Sequence, residues 1–194
     1  MKSRICGLFS LVTLIVPFNA AASAQTSDIP TLGAKTGLVT YTWKGDKHIA
    51  YIDSDNRVHE LQCLSHDNYR WQDSSLPDGN APKNSVLPVG GLVVYEWNGD
   101  KHIAYVGTDG RVHELQCLSG NNYRWQDTPL PDPSAPKNTV LPQPGLVAYM
   151  WEGDKHIVYI GRDNRAHELH CAKGNNYKCQ DVALSKGSPF FDKP

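Results

Sequence analysis

The stretch GDKHIAYIDSDNRVHEL, which begins at Gly45, decides the fold, because it occurs three times in closely related form. The second copy, GDKHIAYVGTDGRVHEL, begins at Gly99, and the third, GDKHIVYIGRDNRAHEL, begins at Gly153. The spacing is constant, since 99 − 45 = 54 and 153 − 99 = 54. A fixed period of this length is typical of proteins built from stacked supersecondary units. We therefore expect one three-repeat domain over residues 37–194, with repeats at 37–90, 91–144 and 145–194.

Each repeat contains four strand candidates, which are rich in Val, Ile, Tyr, Trp and Leu and are bounded by turn residues. In the first repeat these candidates are Leu38–Trp43, Lys47–Ser54, Arg57–Leu64 and Tyr69–Leu76. The pair Asp55-Asn56 tolerates positive φ at both positions and predicts a two-residue hairpin turn between the second and third strands. The sequence thus predicts an all-β fold in which every repeat is a four-stranded antiparallel meander.

The predicted hairpin decides which side chains share a face of the sheet. A two-residue turn at positions 55 and 56 places opposite each other residues whose numbers add up to 111, so that Tyr51 faces Glu60. A carboxylate that accepts sugar hydroxyls beside an aromatic ring would form a carbohydrate site. The alternative is a buried carboxylate that accepts a hydrogen bond from the tyrosine and fastens the sheet. The same two interpretations apply to Tyr105 with Glu114 and to Tyr159 with Glu168.

The first 24 residues have the pattern of a signal peptide. Lys2 and Arg4 give a basic start, residues 5–18 are mostly apolar, and Ala22-Ser23-Ala24 resembles a cleavage site. The apolar run is shorter than the roughly 20 residues that a membrane-spanning helix needs. We predict a signal peptide at 1–24, a lead-in at 25–36, and a secreted or periplasmic protein with no membrane span after cleavage.

Charge and cysteine content bound the partners of the processed chain. Without Lys2 and Arg4 it has 19 − 2 = 17 basic and 20 acidic residues, which is not the basic surface that nucleic-acid binding requires. An exported protein meets an oxidising compartment, where disulfides form. Cys171 and Cys179 flank a turn on neighbouring strands and are a possible disulfide, with small buried thiols as the alternative.

The repeated histidines and carboxylates do not predict a metal site, a cofactor or an enzyme. His48 and His59 share a face in the predicted register but lie more than about 13 Å apart along the strands, too far to hold one metal ion. The carboxylates recur once per repeat and do not converge as a catalytic pair. Threefold repetition suits a multivalent binder, because avidity multiplies weak sites. We predict a binding protein.

The segment HIAYxxxxxRVHEL, with a Trp-bearing strand before it and a tryptophan strand after it, resembles the fungal and bacterial fucose-specific lectin family. Members of that family are six-bladed β-propellers, so the resemblance implies that the three repeats are three blades. It also implies sugar sites between adjacent blades, each held by an arginine, a glutamate and tryptophan platforms. The glutamate position falls on three residues of this chain and the later tryptophan position on two: Glu60, Glu114, Glu168, Trp71 and Trp125.

Two positions depart from the pattern of that family. The arginine position holds Ile49, Ile103 and Ile157, which argues against fucose as the ligand but leaves other sugars open, because the strongest donor of the site is absent. The later tryptophan is replaced by Cys179 in the third repeat, so we expect the third site to be the weakest.

Three blades do not close a propeller, which predicts a homodimer of six blades without exposed sheet edges. The alternative is a single-chain β-trefoil, which closes with three four-stranded repeats. The predicted function is a secreted carbohydrate-binding lectin with shallow sites between blades. The alternative function is a non-catalytic structural or protein-binding scaffold of the cell envelope.

Overall fold

The computed structural model describes residues 36–77, 85–131, 139–142, 145–173 and 178–184. The predicted signal peptide, and all of the lead-in except Thr36, lie outside the described residues. The described residues form three separate four-stranded sheets, and in each sheet the strands pair in chain order. Each sheet is called a blade below. This arrangement is that of propeller blades, and the β-trefoil alternative is wrong.

The twelve strands follow the repeat closely. Blade 1 comprises β1 (Thr36–Trp43), β2 (Asp46–Ile52), β3 (Val58–Cys63) and β4 (Trp71–Ser75). Blade 2 comprises β5 (Leu92–Trp97), β6 (Asp100–Val106), β7 (Val112–Cys117) and β8 (Trp125–Leu130). Blade 3 comprises β9 (Val147–Trp151), β10 (Asp154–Ile160), β11 (Ala166–Cys171) and β12 (Cys179–Ala183). No helix among these described residues is long and apolar enough to cross a membrane.

The hairpin between β2 and β3 differs from the predicted one by a single residue. Ala50 lies opposite Glu60 and Tyr51 lies opposite His59, so opposing residue numbers add up to 110. The amide of Arg57 donates to the side chain of Asp53 at 2.9 Å, and Asn56 has a φ of 54°, which makes a three-residue loop in place of a two-residue turn. Because side chains alternate along a strand, this shift puts the tyrosine and the glutamate on opposite faces of the blade. The predicted pairing of Tyr51 with Glu60 is therefore wrong.

The blades pack face to face through two apolar clusters. In the first, Ala50 and Ile52 of blade 1 belong to one buried cluster with Ile103 and Leu115 of blade 2. The second cluster joins residues of blades 2 and 3, and it contains Ala104, Val106, Val112, Ile157, Tyr159 and Leu169. The first strands of consecutive blades, β1 with β5 and β5 with β9, are also neighbours. A blade covered on both faces explains why the strands do not alternate cleanly between apolar and polar residues.

The cysteines occupy one repeat position on the third strand of each blade. Cys63 lies opposite Trp71 and Cys117 lies opposite Trp125 on the neighbouring fourth strand. In blade 3 the corresponding pair is Cys171 and Cys179, and these two residues form a disulfide. The cross-link therefore stands where the other two blades have a cysteine beside a tryptophan.

Candidate functional site at the blade junctions

Each third strand carries one buried glutamate that is surrounded by donors from its own blade. Glu60 is fully buried and accepts hydrogen bonds from the Tyr41 hydroxyl and, at 2.7 Å, from the side-chain amide of Gln62. The Nδ1 of His48 lies 3.0 Å from the same carboxylate. In blade 2, Glu114 has the equivalent set, namely Tyr95, Gln116 and His102. A buried carboxylate requires such partners, because an unpaired charge out of water is costly.

The next blade supplies the counter-charge to each of these two glutamates. The Nζ of Lys101 on β6 lies 3.0 and 3.2 Å from the two carboxylate oxygens of Glu60. The Nζ of Lys155 on β10 lies 2.7 Å from both oxygens of Glu114. Both lysine side chains are buried. Each junction therefore contains a buried, bidentate ion pair between neighbouring blades.

The ion pairs determine the protonation state of the glutamates. Burial alone would raise the pKa of Glu60, but the hydrogen bond from His48 and the charge of Lys101 outweigh it and lower the pKa. Burial would likewise raise the pKa of Glu114, and His102 and Lys155 together hold it well below its ordinary value. Both glutamates are therefore ionised at neutral pH, and their oxygens are occupied by protein donors.

Aromatic rings enclose each lysine. The Nζ of Lys101 lies 4.8 Å from the ring centroid of Trp43 and 5.0 Å from that of Trp125. At the next junction, the Nζ of Lys155 lies 4.8 Å from the ring centroid of Trp97. These contacts are within cation–π range and shield the ammonium groups from water. The position of the second ring at that junction is Cys179, which matches the substitution noted in the sequence.

The indole groups also fasten consecutive blades through the backbone. The indole nitrogen of Trp43 donates to the carbonyl of Gly99 at 3.2 Å, and that of Trp97 donates to the carbonyl of Gly153 at 3.0 Å. Each tryptophan thus reaches from the end of the first strand of its own blade to the turn between the first and second strands of the next blade. The conserved geometry of these two junctions makes the chain a regular array from blade 1 to blade 3.

An open cavity adjoins each junction. The first, about 580 Å³, lies between blades 1 and 2 and is lined by Gln62, Asp73, Ser74, Ser75, Leu76, Tyr123 and Trp125. The second, about 390 Å³, lies between blades 2 and 3, and its lining includes Trp97, His102, Glu114, Gln116, Lys155, Lys178 and Cys179. Both cavities combine an aromatic wall with hydroxyl, amide or charged groups.

The structure distributes the predicted site residues differently from the prediction. Trp125 does not accompany the glutamate of its own blade, because it lies in the junction that contains Glu60 of blade 1. Cys179 lies in the junction of Glu114 for the same reason. The effect of the missing tryptophan is therefore expected at the Glu114 junction. Glu168 and Trp71 lie at the two open ends of the three-blade array, and Trp71 is 42% exposed.

The three predicted tyrosines belong to a separate network on the opposite face of each blade. Tyr51 donates to Asp73 at 2.8 Å, and the Nδ1 of His59 lies 3.2 Å from the same carboxylate. Tyr159 donates to Asp181 at 2.6 Å in the same manner, with the Nδ1 of His167 at 3.1 Å. Tyr105 faces Asp127, and burial together with that carboxylate raises the pKa of its hydroxyl. These tyrosines fasten the second strand to the fourth and do not reach the glutamates.

The lysines on the second strand and the aspartates on the fourth strand of each blade were not predicted as site residues from the sequence. Lys47, Lys101 and Lys155 recur in every Gly-Asp-Lys-His, and Asp73, Asp127 and Asp181 recur in every Gln-Asp. Their recurrence was the available signal, because a polar residue kept at one place in each repeat is expected to make an equivalent contact wherever its surroundings are repeated as well. Within the described residues, no group of three or more His, Cys, Asp or Glu side chains has an arrangement able to hold a metal ion.

Comparison with known proteins links this array to lectin propellers. No protein-family model matches the chain, and no curated protein matches its sequence. Among solved structures, a mutant of AofleA from Arthrobotrys oligospora, with three arginines changed to alanine, is similar at a TM-score of 0.61 and 15% identity, over 80% of this chain and 43% of that one. An Aleuria aurantia lectin AAL mutant in complex with Fucα1-6GlcNAc is similar at a TM-score of 0.52 and 17% identity, over 79% of this chain and 47% of that one. The chain thus matches less than half the length of either neighbour and shares the fold of fungal lectin β-propellers.

Proposed function

We propose that this protein is a secreted, non-catalytic carbohydrate-binding lectin whose sugar sites lie in the cavities between blades. The likeness to the Aleuria aurantia lectin, which was solved with a fucosylated saccharide, supports a sugar as the ligand class. The observation that carries the proposal is the cavity between blades 1 and 2, where Trp125 stands beside Gln62, Asp73 and two serines. A sugar needs both an apolar platform for its C–H face and polar partners for its hydroxyls.

The buried glutamates act in this proposal by organising the site. The carboxylate of Glu60 already accepts from Tyr41, Gln62 and Lys101, so few of its lone pairs remain for a ligand. Its role is to hold Lys101 between Trp43 and Trp125, which fixes the indole that forms the cavity wall. The tyrosines at 51, 105 and 159 are not part of the proposed site, because none of them lines either of the two cavities.

The cavity between blades 2 and 3 would form a second, different site. Glu114 and Lys155 lie at its wall but are buried and already paired, so the accessible polar groups of this cavity include Gln116, Thr128 and Lys178. Cys179, in its disulfide with Cys171, occupies the position that Trp125 has at the first junction. Among the described residues, this side of the cavity therefore has no aromatic ring on which a sugar could stack. We therefore expect this site to be the weaker one, and to depend more on hydrogen bonding than on an aromatic platform.

A glycan array probed with the purified, labelled chain tests the proposal. The array should include fucosylated, galactosylated, mannosylated and N-acetylhexosamine-terminated saccharides, because Ile49, Ile103 and Ile157 stand where the fucose-lectin pattern has arginine. We expect binding to at least one saccharide class that is competed by the free sugar. Silence across the array, from a chain with a β-sheet circular dichroism spectrum, would overturn the proposal and favour the protein-binding scaffold.

A further inference from the structure

The periodic ion pairs stop at the two ends of the array and leave one unpaired member at each end. Lys47 of blade 1 is the counterpart of Lys101 and Lys155, and it is exposed without an acidic partner among the described residues. Glu168 of blade 3 is the counterpart of Glu60 and Glu114, and it contacts Tyr149 and His156 of its own blade. No lysine or arginine of the described residues pairs with it. Within the described part of the chain, Lys47, a lysine without a glutamate, and Glu168, a glutamate without a lysine, thus lie at opposite ends of the array.

The aromatic residues at the two ends repeat this relationship. Trp97, which lies inside the array, is 9% exposed, whereas its counterpart Trp151 in blade 3, the last blade, is 47% exposed. Trp125, which also lies inside the array, is 8% exposed, whereas its counterpart Trp71 in blade 1, the first blade, is 42% exposed. The neighbouring blade covers Trp97 and Trp125, and Trp151 and Trp71 are exposed because they face the two ends of the array. The two end faces therefore carry the same groups as the two halves of an internal junction.

We propose that two copies of this chain join head to tail into a closed ring, in which Lys47 of each copy pairs with Glu168 of the other. Each new junction would have the composition of the internal ones, with the exposed indoles at positions 71 and 151 on either side of the lysine. Because the two-fold axis through the centre of the ring repeats the same contact twice, both pairs of end faces are covered and no blade face stays open. The match of this chain to 43% and 47% of its two structural neighbours is that expected of half a ring.

This proposal does not depend on sugar binding, but it adds a composite site to the proposed function. Trp71, which has no glutamate of the described residues beside it in its own chain, would form the platform of a cavity next to Glu168 of the second copy. The ring would then hold two composite junctions in addition to the four internal ones. A monomer would lack them, so the number of sugars bound per chain would differ between the two states.

A charge-exchange experiment tests the ring without reference to any ligand. Analytical ultracentrifugation of the purified chain should give a dimer at micromolar concentration. Lys47→Glu places two carboxylates at each junction and should weaken dimerisation by about 100-fold or more, since a broken buried ion pair leaves a charge unpaired. Glu168→Lys should do the same with two ammonium groups. The control Lys47→Arg keeps the charge and should keep the dimer.

Mixing the two charge variants supplies the decisive arm. In a mixed dimer, the introduced glutamate of one chain meets the introduced lysine of the other, while the second junction keeps the natural pair. The mixture should therefore form dimers although neither variant does so alone. Circular dichroism at the same concentrations checks that both variants are folded. If Glu168→Lys is not folded, the variants Glu168→Gln and Lys47→Met are used in place of the two charge variants. A monomeric parent chain, an open-ended polymer, or a mixture that stays monomeric with both variants folded would overturn the ring.

Discussion

Lys155 of blade 3 lies 2.7 Å from both carboxylate oxygens of Glu114 of blade 2, and both side chains are almost completely removed from solvent. The same contact joins Lys101 to Glu60 one repeat earlier. A β-blade cannot bury both of its faces alone, and the hydrophobic effect that brings blades together is non-directional. The ion pair, with its tyrosine, histidine and glutamine partners, gives each junction one defined register.

Removing one member of the pair should destabilise the chain strongly. Lys155→Met keeps the apolar stem but leaves Glu114 buried without its cation, a change that typically costs about 3–5 kcal/mol. We expect a loss of this size in the free energy of unfolding, measured by urea denaturation followed by tryptophan fluorescence. Lys173→Met, at an exposed lysine, is the matched control and should stay within about 0.5 kcal/mol of the parent. Equal midpoints for the two variants would show that the pair contributes nothing to the fold.

Acid should destabilise the protein through the same glutamates. The pKa of Glu114 is lowered in the folded chain from its ordinary value of 4.5, so the unfolded chain binds its proton first. The stability that this group contributes is present above pH 4.5 and is lost as the pH falls toward its folded pKa. We expect the urea midpoint to fall between pH 6 and pH 3, and to fall less in Glu114→Gln, which is already weaker at pH 6. The same pH slope in both proteins would contradict this account of the carboxylate.

A histidine on the other face should have the opposite pH dependence. Burial alone would lower the pKa of His113, but the hydrogen bonds and charges of Asp127 and Asp109 outweigh it and raise the pKa above 6.5. Its contribution to stability is therefore complete below pH 6.5 and is lost as the pH rises through the folded pKa. An NMR titration of the His113 ring should give a midpoint above 6.5. In His113→Gln the stability should fall less between pH 6 and pH 9 than in the parent, and a midpoint at or below 6.5 would refute the assignment.

The repeats and their four strands could be predicted from the sequence, because they follow from a constant period and from β-forming segments bounded by turn residues. The propeller was implied by the resemblance of the repeated motif to the fucose-specific lectin family. The end of β1 at Trp43 was predicted to the residue. The register of the hairpin was not, because Asp55-Asn56 suits a two-residue turn as well as the last part of a three-residue loop. The backbone hydrogen bond from the Asp53 amide to the Arg57 carbonyl at 3.0 Å, together with the bond from the Arg57 amide to the Asp53 side chain, distinguishes the two.

The one-residue shift in the register of this hairpin also changed the interpretation of the candidate site. With Tyr51 on the face opposite Glu60, the predicted ligand pair separates into two networks, one around each residue. The partner that the carboxylate does have, Lys101, comes from 41 residues away on another blade. Contacts between repeats leave no spacing signal within one repeat, so the sequence pattern could not assign them. For the same reason, the sequence of one repeat does not indicate that Trp125 of blade 2 lies at the junction that contains Glu60 of blade 1.

The most direct test of the lectin account is calorimetric titration of the best array saccharide into the parent chain and into two variants at Trp125. Trp125→Phe keeps an aromatic face in the cavity and should retain binding with affinity reduced about tenfold or less, whereas Trp125→Ala removes the platform and should weaken that site by about tenfold or more. Glu96→Ala, at an exposed position on β5 outside both cavities, should bind as the parent does. A folded Trp125→Ala chain that binds the saccharide with unchanged affinity and stoichiometry would contradict a sugar site between blades 1 and 2.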